Sequence, residues 1–152
     1  MRPGGTTRGL VALGSLLVVA SAGIALAQAR EGWSPRGPLD GREPTDADEL
    51  TPEERRHVPV MVLPQRVHAG RAFDFVAQVG IEPHVMTPSH HIDWIEVAVG
   101  EERVFVTDLT PRVPYPIVRI PLVLGAGSTR LTVRAHCTLH GTWRTRRAIE
   151  VR

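Results

Sequence analysis

Seven histidines and one cysteine stand in this 152-residue chain, and no histidine precedes His57. His84 and His90 bracket a loop stiffened by Pro83 and Pro88. A loop that leaves and re-enters one end of a sheet can aim two imidazoles at one point. Cys137-Thr138-Leu139-His140-Gly141 is a C-x-x-H unit. In a turn after a strand, that spacing lets a thiolate and an imidazole chelate one ion, with Gly141 permitting tight backbone geometry. His57 lies just ahead of the first strand-like run. Each piece alone is weak. Joined at the strand–loop junctions of one small domain, they make a candidate metal centre.

Neutral imidazoles and one thiolate are borderline-soft ligands suited to Fe, Zn, Cu or Co. His57, His84, His90, His140 and Cys137 offer four nitrogens and one sulfur. That is one ligand too many for a closed tetrahedral zinc site, but it suits a square pyramid with its sixth position open. A thiolate opposite that position pushes electron density onto the metal and its guest, as in some haem sites. Such a centre reacts with small oxidants. Its uncharged imidazoles leave an excess of positive charge, so small anions are attracted. The lone cysteine excludes an intrachain disulfide and any Cys₄ zinc or iron–sulfur centre.

The elements that must position these donors are strands. Aromatics are only 5% while Gly (14) and Pro (13) are plentiful, which favours turns and short strands over long helices. Runs rich in Val, Ile, Phe and Thr occupy 58–63, 72–79, 92–99, 103–109, 117–124, 129–135 and 144–151. Several alternate, as Phe73, Phe75 and Ala77 do against Asp74 and Gln78. The pattern predicts an all-β, immunoglobulin-like antiparallel sandwich of about seven strands over residues 55–152. Residues 30–54 lack periodicity and are rich in Pro, Gly and acid, the composition of a linker. They are expected as a flexible tether or loosely packed arm, with Trp33 a sticking point. Thr51 and Pro52 could open a short helical turn, as N-cap and N1.

All 18 basic residues are arginine. Residues 1–29 carry Arg2 and Arg8 and no acid, so the chain without them is formally neutral. That argues against a nucleic-acid partner. The remaining charge is polarised, net −5 over residues 30–54 and net +5 over 55–152. Residues 1–29 read as a secretory signal peptide: a basic start, an apolar run from Leu10 to Ala27, and small-x-small sites at Ala25-Leu26-Ala27 and Ala27-Gln28-Ala29. An uncleaved anchor is the rival reading, since the run is near the lower length for spanning a bilayer. Either way the domain is expected outside the cytoplasm, in a bacterial periplasm.

Three motifs together resemble the superoxide reductases, neelaredoxin and the catalytic domain of desulfoferrodoxin. They are Arg56-His57-Val58-Pro59, then Pro83-His84 with His90-x-Ile92-x-Trp94-Ile95-Glu96, then Cys137-x-x-His140-Gly141-x-Trp143. The resemblance covers about residues 55–152, in matching order and spacing. It implies a mononuclear non-haem iron (Fe²⁺/Fe³⁺) with His57, His84, His90 and His140 as equatorial ligands and Cys137 as axial thiolate. The implied reaction is one-electron reduction of superoxide to hydrogen peroxide, with an external one-electron donor restoring Fe(II). Where the family commonly reads Glu-Lys-His, this chain reads Arg55-Arg56-His57. Arg56 keeps a positive charge to attract superoxide, as a guanidinium fork in place of an ammonium. Arg55 removes the carboxylate, and Glu54, one residue back, would point elsewhere from an extended chain. A homo-oligomer is left open.

The remaining candidates have plainer roles. His136 should face opposite Cys137 as a surface residue, His91 should face solvent, and His68 should sit on a turn. Trp94 and Trp143 should pack in the core or around the site. Met86 should pack in its loop, and Arg144, Arg146 and Arg147 should form a solvated strand face. The competing function is a non-catalytic copper or zinc carrier, or a sulfur-oxidation accessory protein on the same fold. Against copper, no methionine follows the C-x-x-H unit. An adhesive module would leave the histidine placement unexplained.

Overall fold

The alternation of apolar and polar residues after residue 57 is realised as seven strands: β1 Pro59–Val62, β2 Phe73–Val79, β3 Ile92–Val99, β4 Glu102–Asp108, β5 Ile117–Leu122, β6 Gly127–Cys137 and β7 Gly141–Val151. This computed structural model describes residues 36–152. The expected signal peptide and Trp33 lie outside the described residues. Gly37–Arg152 fold as one unit. The strands make two antiparallel sheets, ordered β1-β2-β5 and β4-β3-β6-β7. Each of the seven expected runs overlaps one strand, and β6 and β7 extend beyond theirs to reach the turn between them. Among the described residues, no helix is long and apolar enough to cross a membrane.

Inward positions of both sheets meet in one core. Phe75, Ala77 and Val79 of β2 pack with Ile95 and Val97 of β3 and with Leu131, Val133 and Ala135 of β6. Burying each large side chain contributes roughly 1.5–3 kcal/mol. The period of two along β6 continues to its last residue, so Cys137 also enters this core. On β3 the alternation is broken by a bulge between Ile92 and Trp94. Ile92 joins the core, while Trp94 turns to the other face, against His136 and Arg134.

The one described helix, α1 (Pro52–His57), forms where the Thr51–Pro52 signal placed a turn. Thr51 Oγ1 accepts from the Glu54 N–H at 3.2 Å, and Glu54 Oε2 accepts from the Thr51 N–H at 2.8 Å. This reciprocal capping box fixes a helix otherwise too short to persist.

Residues 37–54 are not the loose tether that their composition suggests. The Arg42 N–H donates to the Thr142 carbonyl at 2.9 Å, and the Arg144 N–H to the Arg42 carbonyl at 2.8 Å. Arg144 and Arg134 donate to the carbonyls of Leu39 and Asp40, each at 2.7 Å, and Arg103 donates to that of Gly37. Glu43 accepts from Arg144 at 2.9 Å and from Arg146 at 2.8 and 3.0 Å. Burial by itself raises the Glu43 carboxyl, but the hydrogen bond from Arg146 and the Arg144 charge outweigh it, and the net shift is downward. Arg144 and Arg146 are therefore a clasp for the acidic arm, not a solvated face. Beneath the arm, Arg134 and Glu96 pair at 2.9 Å with side chains only 3% and 1% exposed.

Candidate metal centre

Topology gathers the expected donors at one end of the sandwich. β1 begins opposite the end of β2, where Pro59 pairs with Val79. β3 and β7 begin opposite the end of β6, where Ile92 and Gly141 both pair with Cys137. His57 closes α1 just before β1, and His84 follows β2. His90 precedes β3 in a loop pinned by paired hydrogen bonds between Thr87 and His90, at 2.9 and 3.1 Å. His140 stands in the β6–β7 turn, which Gly141 closes at φ 74°, a conformation that favours glycine.

The four imidazoles form a closed square. Ring centroids lie 4.7 Å apart from His57 to His84, 4.8 Å to His90, 4.9 Å to His140 and 4.6 Å back to His57. Neighbours meet edge-on, while His57 and His90 face each other across 6.1 Å. Cys137 Sγ lies 3.4 Å from His140 Nδ1. Ligating atoms of His57, His90, Cys137 and His140 all fall within 4.8 Å of one another. His84 is outside that set, but its Nε2 is 3.1 Å from His57 Nε2. The structure thus brings together all five donors singled out in the sequence.

The tautomers show why this cluster fits a cation. His57 Nδ1 lies 2.7 Å from the Glu53 carbonyl and His84 Nδ1 lies 2.5 Å from the Val85 carbonyl. A carbonyl only accepts, so both Nδ1 atoms carry the proton. Both Nε2 atoms then present lone pairs to each other at 3.1 Å, a repulsive contact with no proton between them. His90 Nε2 is also buried without a partner. Burial pushes His57, His84 and His90 below their ordinary 6.5, and His84 to about 4; neighbouring imidazoles add to each shift, while the Glu53 and Val85 carbonyls oppose it at His57 and His84. Neutral rings with lone pairs converging beside a sulfur suit a transition metal such as iron.

Other residues fall elsewhere. Arg56 is exposed, and its Nε lies 3.6 Å from Glu82 Oε2. Arg55 donates to the Leu50 carbonyl at 3.2 Å. Glu54 shares the buried side of α1 with His57, because the segment is helical and not extended. Its carboxylate is nonetheless engaged by the Thr51 and Thr45 N–H groups, which lower its pKa. Trp143 packs on the site, stacked 5.3 Å from His57. Trp94 does not; with His136 it belongs to the sheet face under the arm. His136 is no plain surface residue either, since it bonds Asp93 at 2.7 Å and stacks on Trp94. His91 is bound to the Thr87 carbonyl at 3.0 Å, His68 is exposed, and Met86 packs against the core. Sequence reasoning missed Arg42, whose guanidinium lies over Trp143 at 4.3 Å.

An antiparallel β-sandwich that gathers four imidazoles and one sulfur at one end defines a metal-binding protein with an N/S donor set. Residues 49–146 match the sequence model of the desulfoferrodoxins, and the chain belongs to the desulfoferrodoxin family, whose superoxide reductases use a mononuclear iron centre. A desulfoferrodoxin homologue of Methanothermobacter thermautotrophicus is 38% identical over 66 residues, 43% of this chain and 49% of that protein. The desulfoferrodoxin of Syntrophotalea carbinolica is 31% identical over 90 residues, 59% of this chain and 61% of that protein. The chain thus spans about half to three-fifths of these two relatives. A superoxide reductase (neelaredoxin) from Ignicoccus hospitalis superposes with a TM-score of 0.64 at 28% identity, covering 78% of this chain and 100% of that one.

Proposed function

We propose that the protein is a superoxide reductase, reducing superoxide by one electron, with two protons, to hydrogen peroxide. The carrying observation is the square of four imidazoles beside Cys137 Sγ. His57, His84, His90, His140 and Cys137 hold the iron in this reading. Iron bound there supplies the electron, which an external one-electron donor replaces.

The chain's own residues set the electrostatics. The imidazoles add no charge, so one thiolate leaves the centre net positive and attractive to a small anion. Arg56, the residue before His57, adds a positive charge on the exposed side of α1. Its pairing with Glu82, between groups 56% and 46% exposed, is a weak surface contact that leaves it free to reorient toward an approaching anion. Carbonyls of Glu53 and Val85 hold His57 and His84 in the tautomer that points Nε2 inward. The apolar run and small-x-small sites of residues 1–29 support action outside the cytoplasm, in a periplasm.

The test is product stoichiometry. Anaerobically reduced, iron-loaded protein is mixed with a superoxide pulse in stopped flow. The reading predicts one peroxide per superoxide, one oxidised iron per turnover and no oxygen release. One peroxide per two superoxides, with oxygen evolved, is dismutation and overturns it.

A further inference from the structure

Arg42 precedes the family-matched residues 49–146, yet it approaches the backbone of one donor, His140, and touches two residues, Trp143 and Glu53, that contact another, His57. Its guanidinium lies 4.3 Å over the Trp143 ring, and the same indole stacks on His57 at 5.3 Å and 22°. Its Nη1 donates to Glu53 Oε1 at 2.9 Å and approaches the His140 carbonyl at 3.5 Å. Glu53 is the residue whose own carbonyl orients His57. The Arg42 backbone is fixed by hydrogen bonds to Thr142 and Arg144 on either side of Trp143. Gly41 permits this approach: a Cβ there would lie 3.0 Å from Arg144 Cβ and 3.2 Å from the Trp143 carbonyl carbon.

We propose that Arg42 is a positioning residue for the metal centre, so that the N-terminal arm completes the site. This rests on the five-donor reading above. One planar cation braces the indole against His57 and ties the first turn of α1, through Glu53, to the β6–β7 turn that carries His140. A guanidinium does this through its fork and its flat face; an ammonium keeps only the charge.

The full chain is loaded with Co²⁺, and release to a chelator is timed together with the sulfur-to-cobalt absorption band. Arg42→Ala is expected to release Co²⁺ about tenfold faster, the lower range for losing an outer partner of a ligand, with a shifted band. Arg42→Lys should recover part of the loss. Glu43→Ala, which loosens the arm at Arg144 and Arg146 but leaves the Trp143 contacts, should stay within about twofold of the parent. Release and band unchanged in Arg42→Ala overturn the proposal, as does an equal loss in Glu43→Ala. If Arg42→Ala does not fold, Arg42→Lys decides, and release at the parental rate overturns it. Cobalt retention needs no redox turnover. Faster release from Arg42→Ala in a protein that fails to reduce superoxide would sink only the function reading.

Discussion

The two faces of the β4-β3-β6-β7 sheet put the same residue types to opposite uses. On β6, Cys137 enters the core beside the metal cluster, while its neighbour His136 points outward to Asp93 and Trp94. The inner cluster leaves lone pairs without hydrogen-bond donors: His84 and His57 Nε2 face each other, and His90 Nε2 has no partner. On the outer face, charged groups meet opposite or complementary partners: His136 with Asp93, Arg134 with Glu96, and Glu43 with Arg144 and Arg146. A satisfied face holds structure together. A cluster with lone pairs left unsatisfied waits for a cation.

The largest effect that would break this contrast belongs to the inner face. Cys137→Ser should abolish the sulfur-to-iron absorption and superoxide reduction while leaving the fold intact by circular dichroism. Arg134→Met should cost about 1–3 kcal/mol of stability in urea unfolding, because it takes the closer of two guanidinium partners from the buried Glu96 carboxylate and leaves Arg103 at 3.4 Å. The double variant Arg134→Met with Glu96→Leu should recover most of that loss while iron affinity stays unchanged. A double variant as unstable as the single one would show that the pair is not the operative unit.

A smaller effect separates the faces by pH. His57, His84 and His90 titrate below their ordinary 6.5, His84 near 4. Between those values the unfolded chain binds more protons than the folded one, so stability rises with pH there. Metal-free protein should therefore lose stability as pH falls from 6.5 toward 4, read as a falling urea midpoint. His84→Gln should flatten that dependence. The smallest effect is His136→Ala, which should change metal affinity less than twofold and cost about 1 kcal/mol or less, the loss of a half-exposed hydrogen bond. A large loss of metal in that variant would erase the distinction between the faces.

Much of the fold and centre was legible because its signals are local. Alternation marks strands over a few residues, and Cys137-x-x-His140 or the two prolines around His84 and His90 mark loops that cluster donors. The arm was not legible. It is held by arginines reaching backbone carbonyls 94 and 105 positions away, as Arg134 to Asp40 and Arg144 to Leu39 do. A carbonyl acceptor leaves no residue signature. Trp94 is buried, as its type suggests, but the face it packs on was not legible, since a bulge reverses side-chain direction without changing composition. Glu54 looked extended because its capping partner, Thr51, was read only as a cap and not as half of a reciprocal box.

The central claim is that five donors converge on one iron. X-ray absorption at the iron edge of the loaded, reduced protein tests it most directly. The account predicts one sulfur and four imidazole nitrogens around the metal, with the sulfur lost in Cys137→Ser. An iron shell without sulfur in the parent protein, or one unchanged by that substitution, would contradict it.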